Sequence, residues 1–283
     1  MSVRFFYLPQ RRFALTWSPK CACTTVSGLI AQYVSKPGEF GKETKRLRPY
    51  LQKKGVNIKG HKKMENLFDE QKLDRFAVMT RDPLSRLVSA FTNKFLIRFN
   101  KKNKLLEIAR RGKYEAFSLK FIKDCAESGI SLHGKIPLVM DSGVNDFSLA
   151  YFLHYINHED VNIISIDDHF SPQIKTKSTL QLYSRIRDSV NEFKIIRVES
   201  LNSDLQELEK MLDFKFTQIH RNKSPLPEGW QKSDDPAIVE LSTKELTENK
   251  QMPTRKALHS YLQLNGIELS IFKYDSEFFN YQV

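Results

Sequence analysis

Apolar runs that break into a short turn and then an amphipathic helix constrain this chain more than any other feature. Phe76–Met79 is continuous in apolar residues and ends in Thr80-Arg81-Asp82-Pro83. Leu84, Leu87, Val88 and Phe91 follow at i, i+3, i+4 and i+7, the spacing that lines one face of a helix. Phe13–Trp17, which alternates apolar and small residues, leads in the same way through residues 18–24 to Val26, Leu29, Ile30 and Tyr33. Ile163–Ile166 and Ile195–Val198 are further apolar runs. Runs of this kind suit strands covered on both faces, as in a parallel sheet between helices. Strand alternating with helix predicts an α/β layered fold with right-handed crossovers.

Leu201–Phe214 reads as another helix, with Asn202 or Ser203 available as its cap. Residues 98–160 carry helical patterns, a Gly/Pro/Ser-containing stretch over 128–143 and no clear strand, so a mostly helical excursion is expected there. Residues 220–255, with Pro225, Pro227, Pro236 and Pro253, read as a loop-rich passage before a final helix. The expected organisation is a single domain over 1–283. A 40% hydrophobic fraction can fill a sizeable core, and 28% charged residues speak against wholesale disorder.

Lys+Arg exceeds Asp+Glu by 45 − 33 = 12, which attracts anions at long range. The densest basic cluster, Lys42 to Lys63, has few interleaved aromatics and no nucleic-acid module signature, so no nucleic-acid partner is expected. Cys21, Cys23 and Cys125 make neither a disulfide framework nor a metal pair of the usual spacing. A reducing compartment is the simpler reading. The start of the chain lacks an apolar signal region, and no stretch approaches the length of a membrane span. The expectation is a soluble, cytoplasmic protein.

The segment Trp17-Ser18-Pro19-Lys20-Cys21-Ala22-Cys23-Thr24-Thr25 leaves one strand and enters a helix. Backbone N–H groups at such a junction, with the helix dipole behind them, bind anions. Small residues at 21–24 allow close approach to a phosphate. Thr24 and Thr25 can cap or donate hydroxyl hydrogen bonds, and Lys20 adds charge. There is no Walker A pattern, because no glycine is present and the lysine precedes the turn. An ordinary strand–turn–helix with a solvated lysine is the bland alternative.

The second junction narrows the choice. Asp82 suits the cap position and Pro83 the first helical position. Arg81, at the strand's end, and Ser89, two turns into the helix, are candidates to converge on one phosphate, arginine offering a planar fork of donors.

With both junctions in order, the chain resembles the sulfotransferase superfamily, particularly its carbohydrate sulfotransferases. Pro19-Lys20-Cys21-Ala22-Cys23-Thr24 is similar to that family's P-K-x-G-C-T loop, which holds the 5′-phosphosulfate of 3′-phosphoadenosine 5′-phosphosulfate (PAPS). Arg81-Asp82-Pro83-x-x-Arg86-Leu87-x-Ser89-Ala90 is similar to its R-D-P-x-x-R-L-x-S motif, in which the residues matching Arg81 and Ser89 bind the 3′-phosphate. Asp168-His169-Phe170-x-Pro172-Gln173 resembles a D-x-H-W-x-P-Q segment. Arg197-Val198-Glu199-x-Leu201 resembles an F-E-N-L region, and Tyr274-Asp275-x-Glu277-x-Phe279-x-Tyr281 a closing D-F-x-x-F-x-Y. His220-x-Asn222-Lys223-Ser224 resembles a loop that approaches the cofactor, which adds Lys223 and Ser224 to its ligands. Ala22 stands in place of the loop glycine, Phe170 in place of tryptophan, and the membrane anchor of the Golgi members is absent. The resemblance implies a P-loop-like sheet.

It also implies sulfuryl transfer from PAPS to a hydroxyl acceptor, a glycan or glycoconjugate, with no metal required. Sulfuryl transfer depends on alignment and on stabilising charge at the leaving oxygen; Lys20 is the expected cation there. The acceptor needs a base, for which histidine suits neutral pH. Two histidines compete for that role, His61 and His169; Gly60-His61 resembles the Gly-His pair that supplies the base in heparan 2-O-type sulfotransferases, which favours His61 and assigns His169 to the acceptor side. Glu65 is placed to orient His61 if a helix begins there. A P-loop kinase-like phosphotransferase and an inactive glycan- or anion-binding module are the rival functions. The kinase would need a Walker lysine and a magnesium carboxylate.

Overall fold

A computed structural model describes residues 4–18, 21, 23–35, 47–92, 96–100, 105–108, 148–157, 172–217, 226 and 228–282. Its first elements are β1 (Arg4–Leu8), β2 (Phe13–Trp17), α1 (Cys23–Val34), α2 (Leu47–Lys53), β3 (Asn57–Lys59), α3 (His61–Asp69) and β4 (Arg75–Thr80). Next come α4 (Pro83–Phe91), β5 (Ile97–Asn100), β6 (Leu105–Ile108), α5 (Leu149–Ile156), α6 (Lys177–Ser189), β7 (Glu192–Arg197) and α7 (Leu201–Leu212). The remainder are β8 (Gln231–Ser233), α8 (Thr243–Glu248), β9 (Gln251–Pro253), α9 (Arg255–Leu264) and α10 (Lys273–Phe279). The chain divides into two compact units, taken in turn.

The first unit comprises Met1–Asp82, Pro172–Lys223 and Tyr274–Gln282. Its sheet has the order β3-β1-β2-β4-β7. The strands β2, β4 and β7 are parallel, as their apolar runs predict, with Thr16 opposite Val78 and Val78 opposite Ile195. Alternate residues go to opposite faces. Phe6, Leu15, Ala77, Met79 and Ile196 pack under α1 and α7, whereas Phe5, Ala14, Phe76 and Val78 pack against Met64 of α3, Leu182 of α6 and Phe278 of α10. Phe5, Phe6, Phe13 and Phe76 are fully buried, each contributing about 1.5–3 kcal/mol relative to exposure.

The hairpin of β1 and β2 extends the sheet beyond its parallel core. A 3-10 turn over Pro9–Arg11 reverses the chain, and Arg12 leaves it in the left-handed region at φ 46°. Because β1 is antiparallel to both neighbours, β3 points the same way as β2 and β4. The carboxyl ends of β2, β3, β4 and β7 therefore share one edge.

The second unit comprises Pro83–Ser171, Ser224–Lys273 and Val283. Leu84, Leu87 and Phe91 of α4, Phe152 and Leu153 of α5, Leu258 and Leu262 of α9, and Phe272 form its core. The strands β5 and β6 make an antiparallel hairpin, and β8 and β9 pair in parallel. Ser242 and Glu245 form a capping box at the start of α8.

Several expectations change. The stretch 98–160 contains strand residues, β5 and β6, before helix α5, so it is not strand-free. The passage 220–255 holds β8, α8 and β9, and two helices follow it rather than one. The helix α7 has Ser200 at its cap position, with the Ser203 hydroxyl donating back to the Ser200 carbonyl; neither Asn202 nor Ser203 is the cap. Ile163–Ile166 lies outside the described residues. No helix among the described residues is long and apolar enough to cross a membrane.

Candidate active site

Two strand-to-helix junctions meet the carboxyl edge of the first unit's sheet. After β2, the Cys21 N–H donates to the Ser18 carbonyl at 3.1 Å, closing a turn before α1 begins at Cys23. Cys23 and Thr24 fall in the first turn of α1, where N–H groups lack intrahelical acceptors. Thr25 is buried. After β4, Arg81 is half-buried and Asp82 is buried at the cap position ahead of Pro83. Ser89 lies on α4, in the second unit.

One side chain joins the two junctions. The Arg81 N–H donates to Gln173 Oε1 at 3.2 Å, and Gln173 Nε2 donates to the Arg81 carbonyl at 3.0 Å. The Cys21 thiol donates to the same Oε1 at 2.8 Å. Gln173 is held in turn by Asp275, which is fully buried. The carboxylate of Asp275 accepts from the Gln173 N–H at 2.9 Å and the Ile174 N–H at 2.7 Å.

The other acids at this edge are engaged as well. Glu199, just past β7, accepts the Asp82 N–H at 3.0 Å and the Tyr281 hydroxyl at 3.3 Å. Burial, then the Glu199 charge, pushes the Tyr281 hydroxyl above its ordinary range, so it stays a neutral donor. Asp204 accepts the Arg197 N–H at 2.7 Å. These carboxylates hold backbone and hydroxyl donors in place at the strand ends. At the same edge, Arg4 at the head of β1 stands opposite Lys59, its guanidinium 5.8 Å from the centre of the Trp17 ring.

His61 opens α3 directly after β3. The turn is made by Gly60 at φ 131° and ψ 129°, a conformation that side chains with a Cβ rarely adopt. His61 Nε2 is enclosed and has no hydrogen-bond partner among the described residues. An enclosed polar atom without a partner costs about 1–3 kcal/mol, and such atoms call for an explanation. Glu65 does lie one turn on, but its carboxylate is 3.8 Å from Arg185, and no hydrogen bond joins it to His61. The strand before His61 is not adjacent to the one before Arg81, since β1 and β2 intervene. At a strand spacing of about 4.8 Å, β3 is about 10 Å from β2 and about 14 Å from β4. The shared edge, not adjacency, relates the two residues.

Of the residues singled out in the sequence, the structure thus brings Cys21 and Arg81 together and sets His61 further along the same edge. Lys20, Ala22, His169, Lys223 and Ser224 lie outside the described residues. Gln173, Asp275, Glu199 and Tyr281 stood within quoted motifs without a role, and Arg4 carried no signal in the sequence. No group of three His, Cys, Asp or Glu side chains suited to a metal ion occurs among the described residues.

A sequence model of the sulfotransferase family matches residues 3–282. Comparison with curated proteins and comparison with solved structures each found no match.

Proposed function

The chain belongs to the sulfotransferase family, and from that premise we propose that it moves a sulfuryl group from PAPS to a hydroxyl of a glycan or glycoconjugate. The single observation that carries the reading is the pair of junctions at one sheet edge, after β2 and after β4, tied through Gln173. A donor with two separate phosphate positions needs two anion sites held at a fixed spacing. The first turn of α1 offers N–H groups, and Arg81 offers a charged fork; this donor set fits the chemistry of an adenosine bisphosphate.

In this reading the loop over 20–25 and Arg81 hold the donor, joined by Ser89, Lys223 and Ser224. Bound there, PAPS supplies the sulfuryl group to be transferred. Lys20 stabilises negative charge that builds on the leaving oxygen. His61 takes the proton of the acceptor hydroxyl at a ring nitrogen. The position of His61 at the carboxyl end of β3, on the edge shared with the two junctions, supports this role. His169 serves the acceptor side. The net charge of +12 favours approach of an anionic donor and tolerates an acidic glycan.

The test is transfer from donor labelled in its sulfuryl group, screened against glycans and small glycosides and read by mass spectrometry. Sulfated product is expected without added magnesium. His61→Ala should bind donor normally yet lose about 10²–10⁴-fold in turnover at saturating acceptor. Donor binding with no transfer to any acceptor would instead mark an inactive binding module.

A further inference from the structure

We infer that Gln173 is a positioning residue, an amide clamp that sets the spacing between the two anion-binding junctions and so governs affinity for a bisphosphate nucleotide. The inference rests on the proposed function above, because it assumes that both junctions face one ligand.

Regular pairing along β4 ends just before the residue that matters. Thr80 is paired with Arg197, and the Thr80 carbonyl accepts the Val198 N–H at 2.9 Å. Arg81, one residue on, has left the sheet while its side chain is to be aimed at a phosphate. The Gln173 amide takes over there, accepting from the Arg81 N–H and donating to the Arg81 carbonyl. This reciprocal pair is what a neighbouring strand would supply, and it fixes which end of the amide is oxygen. The same oxygen receives the Cys21 thiol, so the β2 junction is referred to the β4 junction through one atom. Rigidity comes from behind, where Asp275 pins the N–H groups of Gln173 and Ile174. The three segments are far apart in sequence, 152 positions between Cys21 and Gln173 and 92 between Arg81 and Gln173. No local propensity could hold them in register. A site for two phosphates on one nucleoside tolerates little error in that spacing, since misplacement well below 1 Å weakens charge-assisted hydrogen bonds.

Two variants separate the clamp from a merely structural role. Gln173→Ala removes it. Gln173→Glu keeps the acceptor but, when ionised, cannot donate to the Arg81 carbonyl and adds negative charge beside the anion sites. Protonated, it regains an O–H donor. The probe is adenosine 3′,5′-bisphosphate, titrated by calorimetry into wild type and both variants from pH 8 to pH 4. Taking each affinity as a ratio to wild type at the same pH cancels titration of the ligand phosphates. Both variants should bind about tenfold or more weakly at pH 8. Toward pH 4, where an ordinary glutamate carboxyl is about two-thirds protonated, Gln173→Glu should recover to within about twofold of wild type while Gln173→Ala stays weak.

A ligand-independent reading accompanies this. Iodoacetamide labelling at Cys21, located by peptide mass, should quicken in Gln173→Ala because the buried thiol loses both its acceptor and part of its cover. Should Gln173→Ala fail to fold, the pH recovery of Gln173→Glu carries the test. Wild-type affinity in Gln173→Glu at pH 8, or a loss that does not recover on acidification, overturns the clamp. Faster Cys21 labelling in a protein whose wild type binds no bisphosphate would leave the clamp in place and overturn the functional reading beneath it.

Discussion

The two ends of the first unit's sheet use charge in opposite ways. At the amino end, Arg12 lies 3.1 Å from Asp74 and Arg75 lies 3.8 Å from Glu192, with side chains a third to a half exposed. Such pairs are solvated and screened, and each is worth roughly 0–1 kcal/mol. At the carboxyl end, Asp275 is fully buried and Glu199 takes the Asp82 N–H and the Tyr281 hydroxyl. There the carboxylates order backbone at the strand-to-helix junctions rather than pair with half-exposed arginines. The contrast teaches where precision is needed: at the edge that carries the candidate site, buried Asp275 and the carboxylate of Glu199 hold the backbone in place of solvated pairs.

Removing a buried acceptor should break the contrast most severely. Asp275→Ala leaves the N–H groups of Gln173 and Ile174 without their acceptor, at about 1–3 kcal/mol each. Denaturant unfolding should show a loss of that order, with bisphosphate affinity falling alongside it. A change under about 1 kcal/mol would put the carboxyl end on the same footing as the amino end.

Alkaline pH gives the next largest effect. Burial pushes the Tyr183 hydroxyl up to about 12, with the Asp275 charge adding to it. Its unfolded value is about 10, so below pH 10 both states are protonated and its contribution is fully present. Between about pH 10 and pH 12 the unfolded state loses its proton first, and stability falls as pH rises. The loss attributable to Tyr183 is about 2–3 kcal/mol. Unfolding free energies measured from pH 9 to pH 12 should decline, and Tyr183→Phe should flatten that decline; an unaltered slope would show that Tyr183 titrates alike in both states.

The smallest effect belongs to the exposed end. Glu192→Gln removes the charge opposite Arg75 and should alter stability by less than about 1 kcal/mol. Its melting temperature at low and high salt checks this. A larger, salt-insensitive loss would show that the amino end is not merely solvated.

What was legible in the sequence follows the same division. Phe13–Trp17 and Phe76–Met79 announce the middle of the parallel sheet, where all their residues are buried; Ile195–Val198 announces the neighbouring edge strand, of which Ile196 is buried. The strand at Arg4–Leu8 was not foreseen, since its reversal runs through Pro9, Gln10, Arg11 and Arg12 without the Gly or Asn that usually marks a hairpin. The β5–β6 hairpin was hidden likewise: its strands are four residues each, too short for periodicity to separate from helix. At the site, Arg81 and Asp82 declared themselves through the Pro83 helix start. Gln173 could be quoted as part of a pattern, but its task depends on Cys21, Arg81 and Asp275 converging, which only the folded chain provides.

The most direct test of the account is calorimetric titration of adenosine 3′,5′-bisphosphate against AMP, in wild type and in Arg81→Ala. The account predicts that wild type prefers the bisphosphate, and that Arg81→Ala loses roughly 1.5–3 kcal/mol of bisphosphate binding while AMP binding scarcely changes. Equal affinity of the wild type for the two nucleotides would contradict a second phosphate site at the carboxyl edge.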